Sequence, residues 1–196
     1  MNWNFLRGRR QTFSRNIFLA SVLILLVETD RGPAVVFEER AHHLKTQPGE
    51  ISFPGGAIEP GETPAEAAIR EACEELLITP DQIELIGPLD YYVTPFDLVL
   101  SPWVARLKSG PLSRNPDEVA RVFTVLLQDF IDHPPRIHYT KQHVTADEDF
   151  PIQDYPFRTL TSQTLFFELG GEIIWGMTAK VMNNFVELIK EHQSDD

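Results

Sequence analysis

The fold is decided by one stretch, residues 56–78, which read GAIEPGETPAEAAIREACEELLI. Thr63 precedes a proline and stands three residues before Glu66, the spacing of a capping box at the start of an α-helix. The apolar residues that follow recur at helical spacing: Ala65, Ala68, Ile69, Ala72 and Leu76. Because the residue before a proline disfavours helical geometry, we expect a helix that begins at Thr63 and ends by Thr79.

The polar side of this helix carries a high density of negative charge. Glu74 and Glu75 lie three and four residues after Glu71, so the three carboxylates share one side of the helix. Like charges at this spacing destabilise a helix by about 0.2–0.5 kcal/mol per pair. Arg70 can pair with Glu66 and Glu74, whereas Glu71 and Glu75 have no basic residue within a turn. A hard divalent cation with oxygen ligands would relieve this repulsion.

Two interpretations of the acidic side are open. A solvated acidic face is common on surface helices. A metal site is the alternative, because magnesium usually takes one or two protein carboxylates together with water and substrate phosphates, and a pair such as Glu71 and Glu75 suits that mode. The glycine-rich turn at 54–56 and the apolar side of the helix favour the metal site, since both would hold the carboxylates rigidly against a sheet.

The whole chain has the composition of one globular domain. It has 196 residues, 42% of them hydrophobic, and no run of 18 apolar residues, which predicts a single domain over 1–196, with its core at about 17–190, and no membrane span. Seventeen basic and 29 acidic residues give a formal net charge of −12, which argues against non-specific nucleic-acid binding. The single cysteine, Cys73, excludes an internal disulfide and fits a reducing compartment, so we expect a cytoplasmic protein.

The N-terminal region requires a choice between a secretory signal and a strand. Four arginines between residues 7 and 15 precede an apolar run at 17–27, an order that signal peptides share. No small-residue cleavage site follows, and the run ends in the turn sequence ETDRGP at 28–33. We therefore predict a buried strand at 17–27 that forms a hairpin with a second strand at 34–37.

The remaining patterns alternate between strands and helices. They predict strands at 51–53, 83–93, 98–107 and 119–125, an irregular region at 132–164 and a long helix at 173–192. Such a mixture, with mostly antiparallel candidates, indicates an α+β protein of the α/β/α sandwich type.

The stretch 56–78 resembles the Nudix box. That pattern is Gly, five residues, Glu, seven residues, Arg-Glu, an apolar residue, any residue, Glu-Glu, any residue, Gly and an apolar residue. The matching residues are Gly56, Glu62, Arg70, Glu71, Ala72, Glu74, Glu75 and Ile78. Leu77 stands where the pattern has its last glycine, which eases chain reversal at the helix end, so we expect the departure to affect the helix exit rather than the metal ligands.

The resemblance implies a fold, an activity and a metal. The fold would be a Nudix fold with a mixed β-sheet between helices, and the activity would be hydrolysis of a nucleoside diphosphate linked to another group, with Mg²⁺ or Mn²⁺ as cofactor. Glu71 and Glu75 would be the principal metal ligands, and Glu74 would bind a further ion or orient water. The carbonyl of Gly56 would also contact metal.

Supporting residues follow from the same resemblance. Arg70 would hold the glutamates by ion pairing, and Glu62 would support the site from the loop side. Outside the box, Glu118 is an isolated acid that could face the site from a loop, although a surface position is the commoner role for such a residue. Trp103 and Trp175 are expected in the core rather than as platforms for a base.

The flanking sequence is similar to the coenzyme A pyrophosphatase branch of the family. The residues that match its additional motif are Arg40, Gly49, Phe53, Pro54, Gly55 and Gly56. The match is partial, because Lys45 stands where the branch usually has a second arginine and Phe37-Glu38 replaces its Leu-Thr. The resemblance implies that Arg40 and Lys45 bind substrate phosphates, and an arginine suits a diphosphate through bidentate contacts.

Three functions remain open on this basis. The first is a diphosphatase that cleaves coenzyme A or acyl-CoA to 3′,5′-ADP and (acyl-)4′-phosphopantetheine. The second is hydrolysis of another nucleoside diphosphate derivative, such as ADP-ribose, a nucleotide sugar or a damaged nucleoside triphosphate. The third is a sensor that binds a nucleotide without turnover, which would not need three mutually repelling carboxylates. In each case the partner is a small molecule rather than nucleic acid or membrane, and a homodimer is possible.

Overall fold

The structure is a computed structural model that describes residue 7 and residues 17–95, 97–152 and 155–194. Its strands are β1 (Phe18–Thr29), β2 (Gly32–Arg40), β3 (Ile51–Ser52), β4 (Gly55–Ala57), β5 (Ile83–Pro88), β6 (Tyr92–Val93), β7 (Leu98–Leu107), β8 (Val119–Leu126), β9 (Arg136–Gln142), β10 (Leu160–Leu169) and β11 (Glu172–Trp175). Its α-helices are α1 (Pro64–Leu76), α2 (Leu127–Asp132) and α3 (Gly176–Ser194), and a 3-10 turn lies at Pro80–Gln82. Within these ranges no helix has the length and apolar character needed to cross a membrane.

The main sheet is mixed. Its strand order is β3-β2-β1-β7-β5, with β4 paired to β1, β6 to β7 and β8 to β2. β1 runs parallel to β7 and antiparallel to β2 and β4. The hairpin predicted at 17–37 is therefore confirmed, while the arginines between residues 9 and 15 lie outside the described residues.

Helices cover both faces of this sheet. Alternate side chains of β1 point to opposite faces, as the strand period requires. Leu23 and Leu25 pack with α1 on one face, and Ile24 packs with α3 and β10 on the other. The expected α/β/α arrangement, with a mixed sheet between helices, is confirmed.

Helix α1 begins and ends as local chemistry dictates. The Thr63 hydroxyl accepts a hydrogen bond from the Glu66 amide, and the Glu66 carboxylate accepts one from the Thr63 amide, so the predicted capping box is confirmed. The helix ends at Leu76, and Leu77 takes the left-handed conformation with φ 52°. The residue that departs from the Nudix pattern thus occupies the backbone geometry that glycine adopts most easily.

The C-terminal third differs from the sequence prediction. Residues 136–142 form β9 and β10 begins at Leu160, so the region 132–164 is not irregular throughout. The segment 172–175 is strand β11 rather than the first turn of a helix, and α3 begins only at Gly176. Gly170 and Gly171 have positive φ and make the turn that folds β11 back on β10. The apolar spacing in 173–175 fits a helix or a strand equally well, and pairing with β10 decides between them.

A second, smaller correction concerns 83–93. This run forms β5 and β6 rather than one strand, because both pair with β7 at separate places along it. A register shift between Leu85 and Gly87 further interrupts the pairing of β5. The predicted strand 98–107 coincides with β7.

Candidate active site

Three of the four glutamates of α1, namely Glu71, Glu74 and Glu75, differ in depth from solvent to interior. α1 packs its alanine-rich face on the sheet, which brings the second half of its acidic side towards β4. The Glu74 side chain is 53% exposed, that of Glu71 is largely buried, and Glu75 is only 2% exposed. The three carboxylates that the sequence predicted on one side therefore differ strongly in their solvation.

Two glycines of β4 make room for these carboxylates. The Gly55 amide donates a hydrogen bond of 2.8 Å to Glu75 Oε2. A Cβ atom at Gly56 would lie only 2.5 Å from Glu71 Cδ, so no larger residue fits there without displacing that carboxyl group. The structure thus brings Gly56, Glu71 and Glu75 together, as the resemblance implied.

Arg70 ties the preceding loop to the helix. Its Nε donates to Glu62 Oε1 at 2.9 Å, and one terminal nitrogen donates to Glu71 Oε1 at 2.8 Å. The other terminal nitrogen donates to the carbonyl of Ala57 at 3.0 Å, and the closest approach to Glu74 is 3.8 Å. These hydrogen bonds from Arg70 lower the pKa of Glu62.

Two details of the sequence prediction for Arg70 are wrong. It does not pair with Glu66, because the Thr63 cap occupies that carboxylate. Glu71 also has a basic neighbour after all, since the side chain of Arg70 bends towards it. Nevertheless the pKa of Glu71 is raised, chiefly by burial and further by the nearby carboxylates of Glu74 and Glu118.

Glu38 of β2 is a site residue that the sequence analysis did not find. It is fully buried, and its carboxyl group contacts that of Glu75 across the face of the sheet that α1 covers. Burial raises the pKa of Glu38 to about 8, and burial together with the Glu38 carboxyl group raises the pKa of Glu75 to about 9. Glu38 Oε2 has no hydrogen-bond partner among the described residues. The signal was an acidic residue directly after the apolar run at 34–37, in the place of a threonine in the related motif.

Arg40 stands at the end of the same strand, beside the glutamates. A register shift between Glu39 and Arg40 interrupts the pairing of β2 with β8, and such bulges redirect side chains. Its charge acts on both Glu38 and Glu75, and its buried Nε has no hydrogen-bond partner in the described part of the chain. The guanidinium therefore retains an unused donor next to the acidic cluster.

A cleft of about 410 Å³ opens beside Arg40. Its volume lies in the range of about 300–1,000 Å³ that is typical of small-molecule sites. Its walls come from β1, β3, β4, β7 and the start of α3, and Gly55, Gly56 and Arg40 are among the lining residues. Lys45 is exposed and is not among the residues that line the cleft, whereas Arg40 is.

Trp175 also lines this cleft, which corrects the expectation that it belongs to the core. Its side chain remains 44% exposed at the junction of β11 and α3. Trp103 is partly buried and packs beside the cluster under α1, as expected. The sequence pattern predicts a helix at 173–192, and in such a helix Trp175 would belong to the apolar side rather than line a cavity.

The donor set fits a magnesium-type ion in the mode expected from the sequence. Carboxylates from α1 and β2 and a glycine-rich backbone supply only oxygen ligands, which suit a hard cation. Within the described residues, no group of three or more His, Cys, Asp or Glu side chains has the geometry to hold a metal by itself. Two buried carboxyl groups in contact, one of them with an oxygen that has no hydrogen-bond partner among the described residues, are nevertheless what a cation completed by water and substrate phosphates would stabilise in their ionised form.

Comparison with known proteins identifies the class. The NUDIX domain model matches residues 18–147, which is more than half of the chain. The chain therefore belongs to the Nudix hydrolase family, an enzyme family that acts on diphosphate bonds, and the resemblance inferred from residues 56–78 is confirmed.

Three individual relatives are between 33% and 38% identical to this chain. The chain is 33% identical to the mouse peroxisomal coenzyme A diphosphatase NUDT7, over 82% of this chain and 66% of the mouse protein. It is 38% identical to Nudix hydrolase 3 of Caenorhabditis elegans, over 86% and 72% of the two chains. It is 36% identical to the uncharacterized Nudix hydrolase NudL of Escherichia coli O7:K1, over 83% and 78%.

A solved structure agrees on the fold. A MutT/nudix family protein from Enterococcus faecalis superposes with a TM-score of 0.54 at 15% identity, covering 95% of this chain and 68% of the other. At that identity the likeness concerns the fold alone.

Proposed function

We propose that this protein is a Mg²⁺- or Mn²⁺-dependent diphosphatase that cleaves coenzyme A or acyl-CoA to 3′,5′-ADP and (acyl-)4′-phosphopantetheine. The observation that carries the proposal is the contact of the Glu71 and Glu75 carboxyl groups with the Gly55-Gly56 backbone, at the edge of a cleft that Arg40 lines. The name of the mouse relative, a coenzyme A diphosphatase, supports the substrate.

Each residue has a defined task in this proposal. Glu71 and Glu75 would hold the cation, with the Gly56 carbonyl and Glu74 at its periphery. Arg70 fixes the direction of the Glu71 carboxylate and joins it to the Glu62 loop. Arg40, which lines the cleft, would bind a substrate phosphate through its guanidinium group. The bound cation would supply charge neutralisation on the diphosphate and a lowered pKa for the attacking water.

A second candidate is hydrolysis of another nucleoside diphosphate derivative, such as ADP-ribose. The observation that favours it is the position of Lys45, which is exposed and outside the cleft. Coenzyme A carries a 3′-phosphate that ADP-ribose lacks, and among the described residues that line the cleft Arg40 is the only lysine or arginine. The anionic chain cannot attract the extra phosphate by its overall field, so recognition of it must be local.

A substrate panel separates the candidates. Coenzyme A, dephospho-coenzyme A, ADP-ribose and a nucleotide sugar are each incubated with Mg²⁺ and with Mn²⁺, and the products are identified by mass. Within this panel we expect the highest kcat/KM with coenzyme A, and loss of all activity on chelation. A higher kcat/KM for ADP-ribose would exclude coenzyme A as the preferred substrate. Binding of a nucleotide without formation of any product would show that the protein does not catalyse this hydrolysis.

The metal assignment is tested by isosteric variants. Glu71→Gln or Glu75→Gln should lower kcat by at least about 100-fold, because each removes one charge from the ligand pair, while the fold is retained since like-charge repulsion is relieved. Glu84→Gln, in an exposed pair with Arg106, is the matched control and should remain fully active. Full activity of either site variant would remove that residue from the metal site.

A further inference from the structure

Two aromatic rings line the cleft and remain open to solvent. Trp175 is 44% exposed and Phe18, at the start of β1, is 57% exposed. Single exposed apolar residues are ordinary, but two large aromatic rings in the wall of one concave site mark a surface that a ligand can cover.

The ring of Trp175 is held in a fixed orientation. It stacks on Phe166 with the ring centroids 5.8 Å apart and the planes within 10° of parallel. Phe166 and Trp175 are also directly paired residues of β10 and β11, so the backbone ladder supports the ring contact. An aromatic platform that is already ordered binds a flat ligand at a smaller entropic cost than a mobile side chain does.

The cleft and the carboxylates share a wall. Gly55 and Gly56 line the cleft, and the same two residues contact Glu75 and Glu71. A diphosphate bound at these carboxylates and at Arg40 therefore places one of its two substituents in the cleft. This step rests on the function proposed above.

We propose that the cleft takes the nucleoside half of the substrate and that its base stacks on Trp175. A base presents a flat π face, which matches a rigid indole, and bases of any kind stack favourably on aromatic side chains. Gln47, Glu50 and Ser52 also line the cleft and offer hydrogen-bonding groups for the base and ribose. The other substituent of the diphosphate then extends away from Trp175, which makes Trp175 a residue that selects the nucleoside.

The test measures binding without turnover. Adenosine 5′-monophosphate has no diphosphate to cleave, and ribose 5-phosphate lacks the base, so both are titrated calorimetrically in the presence of Mg²⁺. We expect Trp175→Leu to weaken binding of the nucleotide about tenfold and to leave ribose 5-phosphate unchanged, whereas Trp175→Phe retains most of the affinity. Trp103→Phe, outside the cleft, is the control and should bind both ligands as the wild type does.

A second readout follows the indole directly. Nucleotide binding should quench tryptophan fluorescence in the wild type and in Trp103→Phe, and the quenching should be lost in Trp175→Phe. Equal nucleotide affinity in the wild type and in both Trp175 variants overturns the proposal. So does a loss of affinity in Trp175→Leu for 4′-phosphopantetheine alone, titrated in the same way, which would place the arm in the cleft. If stacking is observed but coenzyme A is not hydrolysed, the proposed function fails while the base site stands.

Discussion

At the scale of single residues, the site depends on small side chains as much as on charged ones. Gly56 leaves the space that the Glu71 carboxyl group occupies, and Gly55 presents an amide to Glu75. Neither glycine has a side chain that could bind substrate, yet both determine where the carboxylates lie. Substitutions here should therefore change the geometry of the site before they change the fold.

We expect Gly56→Ala to lower kcat by about 100-fold, because its Cβ would displace the Glu71 carboxyl group by roughly an ångström, an error of position that can have this effect. Steady-state kinetics with the preferred substrate measures it. Gly87→Ala is the control, since a Cβ at Gly87 meets no atom within 4 Å and its φ is not positive. Wild-type kinetics for Gly56→Ala would show that Glu71 does not need this position.

Leu77 offers a prediction about stability. Leu77 has a Cβ atom in the left-handed region, a conformation that lowers the free energy of unfolding by about 1–2 kcal/mol. Glycine avoids this strain but itself lowers the free energy of unfolding by about 0.5–1 kcal/mol, because its unfolded chain has more conformational freedom. The Leu77 side chain is exposed, so its removal forfeits little packing. Leu77→Gly should therefore raise the free energy of unfolding by roughly 0.5–1 kcal/mol in urea denaturation.

A matched variant separates backbone strain from side-chain effects at this position. Leu77→Ala shortens the side chain and keeps a Cβ in the left-handed conformation, so it should not stabilise the protein. An equal gain from both variants would show that the exposed leucine, rather than its φ angle, lowers stability.

Some contacts of single residues can be predicted from the sequence, and others cannot. Glu71, Glu75 and Gly56 lie within one contiguous pattern, so their meeting could be predicted from spacing alone. The contact of Glu38 with Glu75 depends on the packing of α1 over β2, which no local pattern encodes. The exposure of Trp175 was missed for a related reason, because it depends on where a helix begins.

At the scale of elements, Arg70 joins the loop before α1 to the helix itself. Its three nitrogens reach Glu62, Glu71 and the Ala57 carbonyl, so one side chain spans β4, the loop and the second turn of the helix. This arrangement requires the planar fork of a guanidinium, which the single ammonium group of lysine cannot replace.

Arg70→Lys should therefore lower the free energy of unfolding by about 1.5–3 kcal/mol, the range for a lost hydrogen bond to a charged group. It should also lower kcat, because the Glu71 carboxylate loses its support. Arg106→Lys is the control, since its pair with Glu84 is exposed and 3.6 Å long, and its effect should stay within about 0.5 kcal/mol. Equal stability of the two variants in urea denaturation would contradict a bridging role for Arg70.

Elements with local signals were predicted well. The capping box marks the start of α1 because both hydrogen bonds connect residues three positions apart. β11 could not be predicted in the same way, since its three apolar residues become a strand only through pairing with β10. β9 is exposed along its whole length, and only Ile137 and Tyr139 alternate with polar residues in it, a pattern too short to predict a strand.

At the scale of the whole molecule, the site is assembled from distant parts of the chain. α1 supplies the glutamates of the pattern, β2 supplies Glu38 and Arg40, and the loop before β8 brings Glu118 close enough to raise the pKa of Glu71. The cleft adds the junction of β11 and α3. The sequence predicted the class of protein because the metal-binding part is contiguous, and it left the substrate-binding part open because that part is not.

The parallel pairing of β1 with β7 has a consequence for how the protein reaches this structure. The two strands join residues about 80 positions apart, and a hydrogen bond from Ser21 to the Ser101 carbonyl lies within that pairing. A chain must close this long loop, at an entropic cost, before the centre of the sheet exists. We therefore expect refolding in milliseconds to seconds rather than microseconds, with the hairpin of β1 and β2 exposed until β7 pairs with β1.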